Sequence, residues 1–401
     1  MLAMGAPAAS ATPRYAPIEA PGPAASASAA DLAASVRCTP DVRNAKREPV
    51  VLLSATGVNT DDNFSWNYEP ALAAAGIPFC TSDQPGRAST NTGDIQRRGD
   101  YIVYAIRYAS RLSGRRVAVL GHSQGGMAMR WALRFWPDTR PLVADVIGMA
   151  GSNHGSTESE TCAHGCTPAD FQQQAGTDFE AALNSRQETF AGIDYTEVYT
   201  HLDATETPNA DDTGVSSVHG PGRITNVATQ DICPANTADH LTIGTTDPVT
   251  YALVIDALGH RGPASPSRID AAVCAQEGQP PSGKARAVVA ADFPPVTEEP
   301  PLACYVTASC GGPPAELAVS VSPRRPAAGK ATTLTVTVRD SRAGETLAGA
   351  RVHVRGATAV TDLRGRARLR VVPSSGGSRL TTRLAGYPVA VTVLGARHAQ
   401  P

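Results

Sequence analysis

The pentapeptide Gly121-His-Ser-Gln-Gly125 constrains this chain more than any other segment. It has the form G-x-S-x-G and follows the apolar run Val117-Ala-Val-Leu120. After it comes a stretch over residues 126–136 that reads as a helix ended by Pro137. A chain that passes from strand to helix in one tight turn projects the central serine into the mouth of a site. Glycines on both sides remove Cβ atoms that would collide as strand and helix close together. The N-terminal amides of such a helix favour negative charge developing beside the serine. The pattern predicts Ser123 as a nucleophile.

The surroundings fit a parallel α/β sheet covered on both faces. Pro49-Val-Val-Leu-Leu53 is a short continuous apolar run, as a strand buried on both faces requires. Residues 95–112 place Ile102, Ala105, Ile106, Ala109 and Leu112 on one helical face, and Gly114 stops them. Further strands are predicted at 143–149, 195–200 and 224–228, with a helix near 249–258. With 401 residues, 42% of them hydrophobic, there is apolar material for one large and one small core. No run approaches the ~20 apolar residues that span a bilayer, and the glycines lack a collagen period.

Beyond this region the pattern changes twice. Residues 276–314 carry Gln279-Pro-Pro-Ser-Gly283, Phe293-Pro-Pro295 and Glu299-Pro-Pro301, which read as a linker or an extended strap. Then the apolar period becomes two, in Leu317/Val319/Val321, Leu334/Val336/Val338, Val352/Val354, Ala367/Leu369/Val371 and Val389/Val391/Val393. Five or more such strands predict a small antiparallel sandwich. From Glu316 onward there are 14 Arg and Lys against 4 Asp and Glu, although the whole chain has a net charge of −2. That basic surface suits anionic wall polymers or lipid headgroups. Nucleic acid is disfavoured, because Tyr387 is the one aromatic residue there for stacking. The predicted division is a leader over 1–35, a catalytic domain over 36–275, a strap over 276–314 and a sandwich over 315–396.

Eight cysteines suggest disulfides in an exported protein. Residues 1–30 are almost all Ala, Pro, Ser and Gly, and Ala9-Ser10-Ala11 is a small-x-small cleavage pattern. The expectation is an export-signal remnant and a disordered leader, with residues 1–35 outside the fold. Cys162-Ala-His-Gly-Cys166, with His154, superficially offers zinc ligands; a small local disulfide is the preferred reading, and Cys304–Cys310 would form another.

A serine nucleophile needs a histidine base and an acid that orients it, in the chain order Ser, acid, His. His122 adjoins the serine, His154 and His164 precede the plausible acids, and His353 and His398 lie in the sandwich. His201, His219, His240 and His260 remain. His240 follows the last predicted strand by a loop and is the preferred base, with His260 as its rival. Asp203 directly follows strand 195–200 and is the preferred acid, with Asp194 and Asp211 as rivals. Oxyanion donors are expected from the Gln124 amide and from Ser54-Ala-Thr-Gly57, where Thr56 offers an amide and a hydroxyl.

Val51-Leu-Leu-Ser-Ala-Thr-Gly57, Asn63-Phe-Ser-Trp66, His122-Ser-Gln-Gly125, Tyr199-x-x-x-Asp203 and Asp239-His240 together resemble the Candida lipase B family of triacylglycerol lipases. The resemblance runs roughly from Cys38 to Cys310. It implies an α/β-hydrolase fold, Ser123, Asp203 and His240 as a triad, and Thr56 with Gln124 as the oxyanion hole. It also implies disulfides Cys38–Cys80 and Cys233–Cys274. Two departures are visible. The yeast members carry Trp before the nucleophile, where this chain has His122. Their long apolar helix near the C-terminus is reduced here to the Pro-rich residues 285–301. The last domain resembles the immunoglobulin-like or carboxypeptidase-regulatory-type sandwiches of secreted bacterial proteins, through the T-D-x-x-G-x-A-x-L pattern at Thr361–Leu369.

The expectation is thus a secreted, monomeric ester hydrolase, a lipase or broad esterase acting on lipid or ester substrates without cofactor or metal. The alternatives are a polyester depolymerase or acyltransferase and, outside enzymes, a surface adhesive protein with an inactive hydrolase module.

Overall fold

A computed structural model describes residues 15–158, 162, 166–279, 283, 293–307, 310, 316–341, 344, 346–384 and 387–395, without the side chains of residues 87 and 88. Its larger sheet has seven strands: β1 (Val36–Cys38), β2 (Val50–Leu53), β3 (Phe79–Ser82), β4 (Val117–His122), β5 (Val143–Met149), β6 (Asp194–Tyr199) and β7 (Arg223–Ala228). They lie in the order β1-β3-β2-β4-β5-β6-β7. All neighbours pair in parallel except β1, which runs antiparallel to β3. The central strands β2 and β4 are buried along their whole length, which explains their unbroken apolar sequences.

Helices Ile95–Ser113 and Gln124–Phe135 cover one face with a core that includes Ile102, Ile106, Trp131 and Phe179. Helices Tyr68–Ala74 and Pro248–Gly259 cover the other, over Leu52, Leu120, Val198 and Leu253. Gly114 ends the long helix with φ of 70°, a left-handed cap that glycine adopts without penalty. The helix expected from residue 126 starts at Gln124, because its N-cap is the serine of the turn. The sequence reading did not include β1 or β3, whose pairing joins Cys38 to Cys80.

Residues 15–35, expected outside the fold, pack onto it, and this part of the expectation is corrected. Ala16 and Leu32 are buried, and Ala29–Ala34 is helical. The physical reason lies in the main chain rather than the small side chains. The carbonyl of Ala16 accepts from buried Arg134, that of Pro23 from Trp136 Nε1 and that of Ile18 from Arg140. The cleavage-like Ala9-Ser10-Ala11 lies outside the described residues. In the proline-rich region, Pro301 accepts from Gln96 Nε2, Trp131 Nε1 donates to Tyr305 Oη, and Val306 is fully buried. These residues form a strap over the core.

The C-terminal strands are β8 (Leu317–Ser322), β9 (Thr332–Asp340), β10 (Arg351–Val354), β11 (Ala357–Val360), β12 (Arg366–Val371), β13 (Ser378–Arg383) and β14 (Ala390–Leu394). They form two antiparallel sheets, β11-β10-β13-β14 and β12-β9-β8, over a core of Leu334, Val336, Val352, Leu369 and Leu380. The T-D-x-x-G-x-A-x-L pattern has a structural cause. Thr361 Oγ1 donates to the Leu347 carbonyl and accepts from Ala350 N. Asp362 Oδ1 accepts from Arg364 N and Arg366 N, and Gly365 has φ of 69°.

Candidate active site

The loops after successive parallel strands converge at the carboxyl edge of the sheet, where open α/β sheets place their ligands. Thr56 follows β2, Ser123 follows β4, Asp203 follows β6 and His240 comes from the loop beyond β7.

Ser123 has φ of 54°, in the left-handed region that a side chain adopts only under constraint. The constraint is close packing. A Cβ on Gly121 would lie 2.3 Å from the Gly125 carbonyl carbon, and one on Gly125 would lie 2.2 Å from the Leu53 carbonyl oxygen. Both glycines are required for helix and strand to approach this closely.

Ser123 Oγ lies 2.9 Å from His240 Nε2, and His240 Nδ1 lies 2.9 Å from Asp203 Oδ2. The Asp203 side chain is fully buried and His240 is 19% exposed. Asp203 Oδ1 accepts from Thr205 N and Glu206 N at 2.9 and 2.8 Å, which fixes the carboxylate plane. Burial works against a charged imidazole. The hydrogen bond and charge of Asp203, with Glu206 and Asp239, outweigh it, so the His240 pKa is raised. That balance favours the charged imidazolium over the neutral ring.

Thr56 Oγ1 accepts from two amides, Gln124 Nε2 and Gln173 Nε2, each at 3.0 Å. Both amides have fixed orientations. Gln124 Nε2 also donates to the Asn91 carbonyl while its Oε1 accepts from buried Arg98, and Gln173 Nε2 also donates to the Ala169 carbonyl. With both lone pairs engaged, the Thr56 hydroxyl proton is left to donate elsewhere. Gln124 N is at the first helical position, where no intrahelical acceptor exists.

A cleft of about 460 Å³ reaches this point, lined by Thr56, Trp66, Ser123, Gln173, His240 and Leu241 among others. The structure brings Ser123, Asp203, His240, Thr56 and Gln124 together. Among the rivals, His260 pairs with Asp256, Asp194 with Arg223, and Asp211 accepts from Thr213, all apart from Ser123. His219 Nε2 contacts the Asp212 carbonyl, and His201 stacks on Tyr199. Cys162 and Cys166 are joined to each other, as are Cys38–Cys80, Cys233–Cys274 and Cys304–Cys310. His164 and His398 lie outside the described residues. The sequence reading missed Gln173, Arg98 and Asn91, polar residues whose roles arise only from contacts far along the chain.

No protein-family model matches the chain. Lipase B of Pseudozyma antarctica is 25% identical to it over 214 residues, which cover 52% of this chain and 61% of that protein. The chain therefore spans about three-fifths of the length of the curated relative it matches. The crystal structure of Aspergillus fumigatus lipase B is similar at 28% sequence identity and a TM-score of 0.64, covering 72% of this chain and 74% of that one. The sheet order, the serine turn and these similarities give this chain an α/β-hydrolase fold similar to that of lipase B, with a C-terminal β-sandwich.

Proposed function

We propose that this protein is an exported serine ester hydrolase that cleaves carboxylic esters, lipids among them, through an acyl-enzyme. The observation that carries this reading is the 2.9 Å approach of His240 Nε2 to Ser123 Oγ beside the Thr56 hydroxyl. His240 Nε2 removes the serine proton as Oγ attacks the ester carbonyl. The Thr56 hydroxyl and the Gln124 amide donate to the oxyanion, and Asp203 holds the imidazolium. His240 then returns the proton to the leaving alcohol. Water, deprotonated by the same ring, attacks the acyl carbon, and the carboxylic acid leaves Ser123. Every proton passes through one ring nitrogen, so no cofactor is called on. Four disulfides support an exported protein, and among the described residues no helix is long and apolar enough to cross a membrane.

The test is a chain-length panel of p-nitrophenyl esters on the wild type and Ser123→Ala. Hydrolysis is expected in the wild type alone. Equal release by both proteins would remove Ser123 as the nucleophile, and no release by either would favour an adhesive protein with an inactive hydrolase module. Product analysis with an added alcohol or a polyester film separates hydrolysis of small esters from acyl transfer and depolymerisation.

A further inference from the structure

Behind the Asp203–His240 pair lies a second carboxyl group. Glu206 is 3% exposed, and its backbone N–H donates to Asp203 Oδ1. Its Oε1 meets Ser152 Oγ, and Ser152 Oγ also lies 2.9 Å from Gln173 Oε1. A serine hydroxyl has one proton and cannot donate to both oxygens. The Gln173 amide cannot turn to help, because its nitrogen donates to the Ala169 carbonyl and to Thr56 Oγ1. Both contacts are hydrogen bonds only when Glu206 carries a proton, donates it to Ser152 Oγ, and leaves the serine proton for Gln173 Oε1. Glu206 Oε2 is buried without a hydrogen-bond partner, which a neutral carbonyl oxygen tolerates far better than a carboxylate oxygen does.

We infer that Glu206 is a positioning residue: protonated, it holds Thr56 in its oxyanion-donating orientation through Ser152 and Gln173, and ionised, it releases it. The inference deepens the ester-hydrolase reading and rests on it for the role of Thr56. On ionisation the Ser152 hydroxyl turns to Glu206, Gln173 Oε1 loses its donor, and the amide that orients Thr56 is loosened. No covalent bond changes; one proton leaves to solvent. The charged and titratable groups facing Glu206 are His240, Asp203 and Glu180. Burial pushes the carboxyl up to about 7, against the opposing pull of His240 and Ser152. The switch therefore falls in the neutral range. An ionised Glu206 also favours the charged form of His240, which cannot act as base. That charge on the ring is lost as pH rises, so the alkaline decline comes from the loosened Thr56 alone.

The experiment pairs kinetics with a readout that needs no catalysis. In wild type, kcat/KM on p-nitrophenyl butyrate should fall above neutral pH, chiefly through kcat. Glu206→Gln keeps a permanent donor to Ser152, so its kcat/KM should hold at about pH 8–9, where that of wild type declines. Ser152→Ala breaks the chain and should lower kcat about 10-fold with little change in KM, short of the roughly 10²–10³ expected for losing an oxyanion donor outright. By NMR, the Gln173 side-chain amide should shift with the Glu206 carboxyl in wild type, and hold still in Glu206→Gln and Ser152→Ala. A Gln173 amide that ignores pH between about 5 and 9 overturns the inference. So does a Glu206→Gln profile that keeps the wild-type alkaline decline. A titrating Gln173 amide in a protein that hydrolyses no ester would leave the relay standing and remove the ester-hydrolase reading.

Discussion

His122 Nε2 lies 2.9 Å from the main-chain carbonyl oxygen of His240, so the residue before Ser123 holds the backbone of the proposed base. Burial pushes the His122 pKa down to about 3, with the neighbouring His240 acting in the same direction, and the ring is neutral at working pH. A neutral imidazole has one N–H. We assign it to Nε2, because the carbonyl contact is shorter than the 3.2 Å from Nδ1 to Asn63 Oδ1. The ring also sets what can stand beside it: a Cβ on Gly244 would lie 2.1 Å from His122 Cδ2.

His122→Phe should therefore lower kcat on p-nitrophenyl butyrate about 10-fold, with KM changed less, because a ring remains but the donor to the His240 carbonyl is lost. A loss confined to KM would assign His122 to substrate binding instead.

Ser123→Ala or His240→Ala should lower kcat by at least ~10³, leaving the effects of binding and the oxyanion hole. His260→Ala should stay within about two-fold of wild type, since His260 pairs with Asp256. Full activity in His240→Ala with loss in His260→Ala would reverse the assignment of the base.

Reduction should cost stability. The Cys38–Cys80 and Cys233–Cys274 bonds close loops with sequence separations of 42 and 41 residues, and each should contribute roughly 2–4 kcal/mol. Cys233–Cys274 brackets His240. Replacing both of its cysteines by alanine should lower the urea midpoint and also kcat; an unchanged midpoint would show that the loop is held by packing alone.

Glu197 gives the stability a pH dependence. Burial pushes its carboxyl from 4.5 up to about 8, against the opposing charge of Arg130. The folded state then binds more protons than the unfolded one between these values. The neutral-Glu197 contribution is complete below about 4.5 and is lost as pH rises toward about 8. Glu197→Gln should remove that loss, raising the urea midpoint at pH 9 relative to wild type more than at pH 5. Parallel midpoint curves for the two proteins would exclude Glu197 as the source.

A protein ending near Cys310 should keep its activity on soluble short-chain esters and bind anionic vesicles more weakly. The five proposed catalytic residues and the strap residues Tyr305 and Val306 all remain in it. The sandwich touches the larger fold through Ala348, Leu363 and Gly349, the last against Pro141. Pelleting of the full chain should fade with salt, as exposed charges are screened over ~8 Å. Equal pelleting of both proteins would remove the surface-binding role, and loss of soluble-ester activity would make the sandwich part of the catalytic fold.

The sequence by itself determined what is local. Glycines at 121 and 125 permit one strained turn, unbroken apolar runs mark strands buried on both faces, and period-two segments mark the sandwich. Each is a property of a few consecutive residues and their backbone sterics. It also put Ser123, Asp203 and His240 in an order that fits one active-site geometry. Only the tertiary structure decided which histidine and which acid stand beside the serine, because residues 123, 203 and 240 meet through the sheet order and not through spacing. It alone showed that residues 15–35 pack, since main-chain carbonyls that accept from Arg134, Trp136 and Arg140 leave no mark in side-chain pattern. The chain from Glu206 through Ser152 and Gln173 to Thr56 was equally invisible. A hydrogen-bond network is a matter of which donors face which acceptors, and that is fixed only when distant loops share one end of a sheet.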